Sequence, residues 1–163
     1  MSNTKHTLIA LVEDKPGVLN RVASLFRRRG FNIEGIAVGR SEQPGLSRMT
    51  VVVGGDSAEV EQVRKQLDKL INVVRVSDIT EEDIVARELA LIKVNATAST
   101  RSEIIQIVDI FRANIVDVAA DSLTVEVTGD EDKINSLFEL LRRFGIKEMT
   151  RTGRVALTRG GIA

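Results

Sequence analysis

The stretch Leu8-Ile9-Ala10-Leu11-Val12-Glu13-Asp14-Lys15-Pro16-Gly17-Val18-Leu19 carries an aliphatic run of strand length straight into the start of a helix. Beyond it Val18, Leu19, Val22, Leu25 and Phe26 recur at i, i+1, i+4, i+7 and i+8, which makes one apolar helical face. Asp14 is the expected N-cap, with Pro16 in a first turn that needs no amide hydrogen and Gly17 directly after it. A helix begun this way points unpaired N–H groups and the positive end of its dipole outward. Gly17 has no side chain, so a small anion such as an amino-acid carboxylate can reach those amides. An ordinary capped helix uses the same residues, and the stretch alone leaves both readings open.

Outward from this stretch, the spacing predicts a strand over 5–12, a helix over 17–29 closed by Arg27-Arg28-Arg29-Gly30, and a strand over 31–38. The arginine triplet reads as a solvated C-terminal cap, its cations on the negative dipole end. A turn-rich loop over 41–45 leads to a third strand, 46–53. Asp56 and Glu59 open a second helix with Val60, Val63, Leu67 and Leu70 inward, and a fourth strand follows over 71–78. The order is βαββαβ, the split-βαβ or ferredoxin-like unit, whose helices cover one face of the sheet. A fragment ending near Asp78 would carry that order whole.

Thr80-Glu81-Glu82-Asp83 is a short acidic connector, and beyond it the order recurs. Strands are expected over 88–96, 115–119, 123–128 and 146–152. A Thr100/Glu103 capping box opens one helix, Asp130 caps another, and a tail runs from 153 to 163. The fold class is therefore α+β, two tandem ferredoxin-like βαββαβ domains, with domains at 4–79 and 85–163 and a linker at 80–84. Leu25-Phe26-Arg27 aligns with Ile110-Phe111-Arg112, and Asn32-Ile33 with Asn114-Ile115 after a three-residue deletion. Projected backwards, Asp14 meets Ser99 and Gly17 meets Ser102, so only the first unit keeps Asp-Lys-Pro-Gly. A ligand site at this loop belongs to the N-terminal half alone.

Composition narrows the function classes. Hydrophobic residues make up 43% and charged residues 28%, as in a soluble globular protein. Lys plus Arg equals Asp plus Glu at 23 each, so no global field favours nucleic acid or an anionic membrane. With no cysteine there are no disulfides and no thiolate chemistry. Five Phe and no Tyr or Trp give few stacking platforms for single strands. No apolar run reaches the ~18 residues of a membrane span, and 1–6 lacks the features of a signal or transit peptide, so the cytosol is the expected location. His6, the single histidine, has no companion for a metal or nucleophile site and is expected to be solvated or at a strand edge. No P-loop, GxGxxG or HExxH occurs, and no credible catalytic constellation emerges.

The run from Leu11 through Asp14-Lys15-Pro16-Gly17-Val18-Leu19-Asn20-Arg21-Val22, continuing to Phe26 and Arg29-Gly30-Phe31-Asn32-Ile33-Glu34, resembles the ACT domain. More narrowly it resembles the small regulatory subunit of acetolactate synthase (acetohydroxyacid synthase). Leu46-Ser47-Arg48-Met49-Thr50 is similar to that family's third-strand motif, and Leu67, Lys69, Leu70, Val73, Arg75 and Val76 to its second helix and fourth strand. Arg87 to Val94 resembles the opening of its second domain, and Arg151 to Gly160 its C-terminus. The likeness runs in order over nearly the whole chain.

The resemblance implies a chain without catalysis of its own. It would bind the large, thiamine-diphosphate-dependent catalytic subunit, raise its activity and confer feedback inhibition by valine. Thiamine diphosphate, Mg and FAD would belong to that subunit, with no cofactor or metal in this chain. The family's ACT domains pair with the effector at their interface. Carried over, Asp14, Gly17, Val18 and Leu19 of one protomer hold the carboxylate end, and Asn32 and Ile33 come from the other. Alternatives are a free-standing ACT amino-acid sensor, which differs only in lacking a partner, and a ligand-responsive transcription regulator. The regulator would need a DNA-reading element with clustered basic residues, and none stands outside the helix caps.

Overall fold

The structure is a computed structural model and describes residues 4–161. The described residues form two compact units, 4–85 with 154–161, and 86–153. The first contains β1 (Thr4–Glu13), α1 (Val18–Arg28), β2 (Ile33–Arg40), β3 (Leu46–Gly55), α2 (Ser57–Asp68) and β4 (Val73–Asp78). Its sheet order is β2-β3-β1-β4 with antiparallel pairing throughout, the ferredoxin-like arrangement. Alternation sends Leu8, Ala10 and Val12 of β1 and Met49, Val51 and Val53 of β3 to one side. There they pack with Val22, Leu25 and Phe26 of α1 and Val60, Val63 and Leu67 of α2.

The second unit repeats the design with β5 (Ile84–Asn95), which begins two residues before it, α3 (Arg101–Ile110), β6 (Asn114–Val118), β7 (Ser122–Gly129), α4 (Glu131–Arg142) and β8 (Ile146–Arg151). Its order is β6-β7-β5-β8. Ala90, Ile92, Val94, Leu123, Val125 and Val127 face Ile104, Val108, Ile134 and Leu137 of its helices. The clean alternation of 123–128 in the sequence therefore reports a sheet with one helix-covered face.

Residues beyond Gly153 group by contact with the first unit. They form β9 (Val155–Thr158), which pairs with β5, the strand whose first residues Ile84 and Val85 still belong to the first unit. Arg154 Nη1 donates to Thr7 Oγ1 at 2.9 Å, and Arg48 Nη2 to the Ala156 carbonyl at 2.9 Å. Arg159 meets Asp83 through its backbone N–H (2.8 Å) and its Nε (3.1 Å). Thr7 and Arg48 lie on the face of the first sheet turned away from its helices, where Ile9, Leu11, Thr50 and Val52 are also buried. The tail lies over part of that face. Its polar residues concealed this in the sequence, because the anchors are arginines reaching carbonyls and hydroxyls rather than apolar side chains.

Two further expectations change. His6 is 4% exposed on the central strand, with both ring nitrogens buried and without a hydrogen bond, Nδ1 lying 3.6 Å from Asp78 Oδ2. The Thr100/Glu103 box does not form. Instead Thr97 and Thr100 bond reciprocally, Thr97 N–H to Thr100 Oγ1 at 2.9 Å and Thr100 N–H to Thr97 Oγ1 at 3.3 Å, while Glu103 pairs with Arg143.

Candidate functional site

The loop between β1 and α1 is built as a Pro-Gly turn. Gly17 has φ 84 and ψ −10, the left-handed third position of a type II turn with Pro16 before it, and Val18 N–H reaches the Lys15 carbonyl at 3.4 Å. The helix thus begins at Val18 with Gly17 as its cap residue, and Asp14 is not the N-cap. Asp14 precedes the turn, its N–H bonded to the Gly45 carbonyl at 2.9 Å.

No side chain caps α1, and the helical ladder begins with Arg21 N–H to the Gly17 carbonyl at 3.0 Å. The amides of Leu19 and Asn20 are left without an acceptor among the described residues. The first turn of α1 has no acidic residue, whereas α2, α3 and α4 each have at least one. No acidic side chain of its own first turn therefore offsets the positive end of the α1 dipole. Leu19 is 50% exposed beside it, while Val18 is buried in the core and can offer only its backbone.

The second unit builds the equivalent place differently. Helix-end hydrogen bonds align the repeats: Phe31 N–H to the Phe26 carbonyl matches Ala113 N–H to the Val108 carbonyl. This corrects the sequence alignment of Phe26 with Phe111, and it sets Gly17 against Ser99 and Asp14 against Ala96. Lys15 then matches Thr97, and Leu19 matches Arg101, whose N–H is satisfied by the Thr97 carbonyl at 3.0 Å. A Thr97–Thr100 exchange stands in one unit where the Pro-Gly turn stands in the other, and it moves the open amides of α3 one residue along, to Ser102 and Glu103. The conclusion that only the first unit keeps the loop survives the shift in register.

Asn32 and Ile33 lie at the start of β2, Asn32 exposed and Ile33 packed against the core edge. They follow the far end of α1, whose 11 residues span about 16 Å at 1.5 Å per residue. Asp14, Gly17, Val18 and Leu19 are brought together within one chain, and Asn32 and Ile33 are not brought to them.

Sequence reasoning missed the side chains that fasten this loop. Asn72, between α2 and β4, donates from Nδ2 to Glu13 Oε2 at 3.0 Å and accepts from Arg21 Nη1 at Oδ1. Lys15 Nζ lies 2.9 Å from Glu13 Oε2, and the hydrogen bonds from Lys15 and then Asn72 hold the Glu13 carboxyl below its usual range. Nothing in the spacing of Glu13, Arg21 and Asn72 marks them as partners.

Elsewhere, a shallow depression of about 390 Å³ on the helix-free face of the second sheet is lined by Lys93, Asp117, Thr124 and Glu148 among others. Its Lys93–Glu148 ion pair is already closed at 2.7 Å. No group of three or more His, Cys, Asp or Glu suited to a metal ion occurs among the described residues. No helix there is long and apolar enough to cross a membrane.

An open helix start of this kind on the first of two ferredoxin-like units is the architecture of an ACT-type regulatory protein. Residues 8–75 match the family model described as the AHAS small subunit-like ACT domain, and residues 87–160 match that of the small subunit of acetolactate synthase. The probable acetolactate synthase small subunit of Archaeoglobus fulgidus is 60% identical over 156 residues, 96% of this chain and 98% of that protein. The acetolactate synthase small subunit of Mycobacterium bovis is 54% identical over 160 residues, covering 98% and 95%. The crystal structure of the acetolactate synthase small subunit from Thermotoga maritima superposes with a TM-score of 0.89 at 44% identity, covering 98% of this chain and 99% of that one. The chain belongs to the acetolactate synthase small-subunit family.

Proposed function

We propose that this chain activates the thiamine-diphosphate-dependent catalytic subunit of acetolactate synthase and makes it subject to feedback inhibition by valine. Family membership supports a large-subunit partner, and catalysis, with its thiamine diphosphate, Mg and FAD, is assigned to that partner. The observation that carries the effector reading is the Pro16-Gly17 turn, which leaves the Leu19 and Asn20 amides open at a helix start with no acidic residue in its first turn.

Valine's carboxylate rests on those amides, with Asp14 and Gly17 framing the approach and Leu19 forming an aliphatic wall. Asn32 and the Ile33 backbone come from a second copy and receive the ammonium. Two copies are needed because α1 separates the two clusters in one chain. The valine-bound pair then favours a less active state of the complex, by a differential affinity between two states.

The test is co-purification with the catalytic subunit, followed by synthase assays with and without this chain and with and without valine. The reading expects a higher rate on adding the chain and a lower one on adding valine. A rate unmoved by the chain contradicts the regulatory assignment.

A further inference from the structure

We infer that Asn72 is a positioning residue for the effector loop, fixing the Pro16-Gly17 turn against the start of α1. The inference rests on the proposed reading of that loop as the valine site.

Asn72 turns its carbonyl and both polar atoms of its side chain toward the two elements that flank the loop. Its carbonyl accepts the Glu13 N–H at 2.8 Å, and its Nδ2 donates to Glu13 Oε2 at 3.0 Å, which fixes the end of β1. Its Oδ1 accepts from Arg21 Nη1 on the first turns of α1. Glu13 continues the chain to Lys15, inside the loop, at 2.9 Å, and Arg21 N–H closes it at the Gly17 carbonyl, 3.0 Å away. The four side chains Lys15, Glu13, Asn72 and Arg21 therefore clasp residues 14–17 from both ends.

The role of Arg21 in this clasp is not explained by helix stability. A cation near a helix N-terminus opposes the dipole, and no first-turn acid is present to offset it. Asn72 is suited to the place because one neutral group must accept from a guanidinium and donate to a carboxylate. Without it, Glu13 and Arg21 lose their common partner, and the turn is no longer held to the helix whose open amides define the site.

The experiment uses the chain complexed with the catalytic subunit, with valine as the probe, and compares N72A, N72D and the pair E13Q/N72D. In the pair, the carboxylate introduced at 72 accepts from both Arg21 and the amide introduced at 13, so the clasp is rebuilt with reversed polarity. N72A is expected to raise the half-inhibitory valine concentration about tenfold, the size of one or two lost hydrogen bonds. N72D is expected to do at least as badly, because it faces Glu13. E13Q/N72D should return to within about threefold of the parent, a rescue that general destabilisation would not give.

A half-inhibitory concentration for N72A within about twofold of the parent, or a pair no better than N72A, overturns the inference. Amide exchange at Asp14, Val18 and Arg21 in the free chain supplies a readout without valine. Faster exchange in N72A with recovery in the pair supports positioning, and unchanged exchange overturns it. A parent complex indifferent to valine would instead sink the effector reading, and exchange alone would then decide the role of Asn72.

Discussion

Gly30 and Arg112 hold the same station in the two units: each follows the first helix in the left-handed region, at φ 70 and φ 54. Both close Schellman motifs. Gly30 N–H bonds the Arg27 carbonyl at 3.1 Å and Phe31 N–H the Phe26 carbonyl at 3.1 Å; Arg112 and Ala113 do the same to Asp109 and Val108, each at 3.0 Å. In the first unit the motif is completed by an edge-to-face contact of Phe26 and Phe31, with centroids 6.5 Å apart. Arg112 is the one non-glycine residue with positive φ among the described residues, and its Cβ makes that conformation costly. Arg112→Gly should therefore stabilise the second unit by about 1 kcal/mol, and Gly30→Ala should destabilise the first by a similar amount. Urea unfolding with a probe in each unit measures both.

Gly17 allows charge to be separated from shape. A Cβ there meets no atom within 4 Å, so a substitution costs backbone strain at φ 84 and no clash. Gly17→Asn and Gly17→Asp have nearly the same shape, and both side chains tolerate the left-handed region. Each should lose about 1 kcal/mol of stability. Only Gly17→Asp sets a carboxylate against the effector's own, so it should abolish valine inhibition where Gly17→Asn weakens it by several-fold. Equal loss in the two variants would take charge repulsion out of the account.

Ending the chain at Gly153 should destabilise the first unit. It removes the Arg154–Thr7 and Arg48–Ala156 hydrogen bonds and both Arg159–Asp83 contacts, and it uncovers part of the face holding Ile9 and Val52. At about 1 kcal/mol per hydrogen bond the loss is about 3 kcal/mol. Amide exchange in β1 and β3 reads it directly. A fragment ending near Asp78 carries the full βαββαβ order but lacks this tail, and should show the same weakening.

Acid should loosen the ion pairs on the second sheet in a defined direction. The hydrogen bond from Lys93 holds the Glu148 carboxyl below its usual range, and Lys147 does the same for Asp121. A carboxylate depressed in the folded state adds stability above its unfolded pKa, and that stability is lost as pH falls through the lowered folded value. Both groups are exposed, so the effect is small and screened by salt. Lys93→Gln should move the Glu148 titration upward, as read by carboxyl NMR shifts, and leave Asp121 in place.

Element order through β8 was legible because local periodicity and turn residues determined it: the helix faces and strand alternations named from the sequence appear in the two cores, except Leu19, which is 50% exposed. Helix starts were less legible, since Asp14 and Thr100 look like caps, while a Pro-Gly turn and a Thr97–Thr100 exchange do the work. The match of Phe26 with Phe111 misled because side-chain type was followed rather than place. Val108, equally buried, stands where Phe26 stands. Asn72, the tail arginines and buried His6 were illegible for one reason: their surroundings come from residues distant in sequence, and no local pattern records them. Of the candidate site, the loop could be read from its glycine, and its fastening could not.

The measurement that tests the central claim most directly is a mixed pair. Gly17→Asp and Asn32→Ala chains carrying different tags are co-expressed, and the heterodimer is purified and assayed with the catalytic subunit across a valine titration. If Gly17 of one copy and Asn32 of the other build each site, the heterodimer has one site broken twice and one left intact. Each homodimer should be insensitive to valine, and the heterodimer should regain about half the inhibition at the parental half-inhibitory concentration. A heterodimer as insensitive as either homodimer would contradict a site shared across two copies.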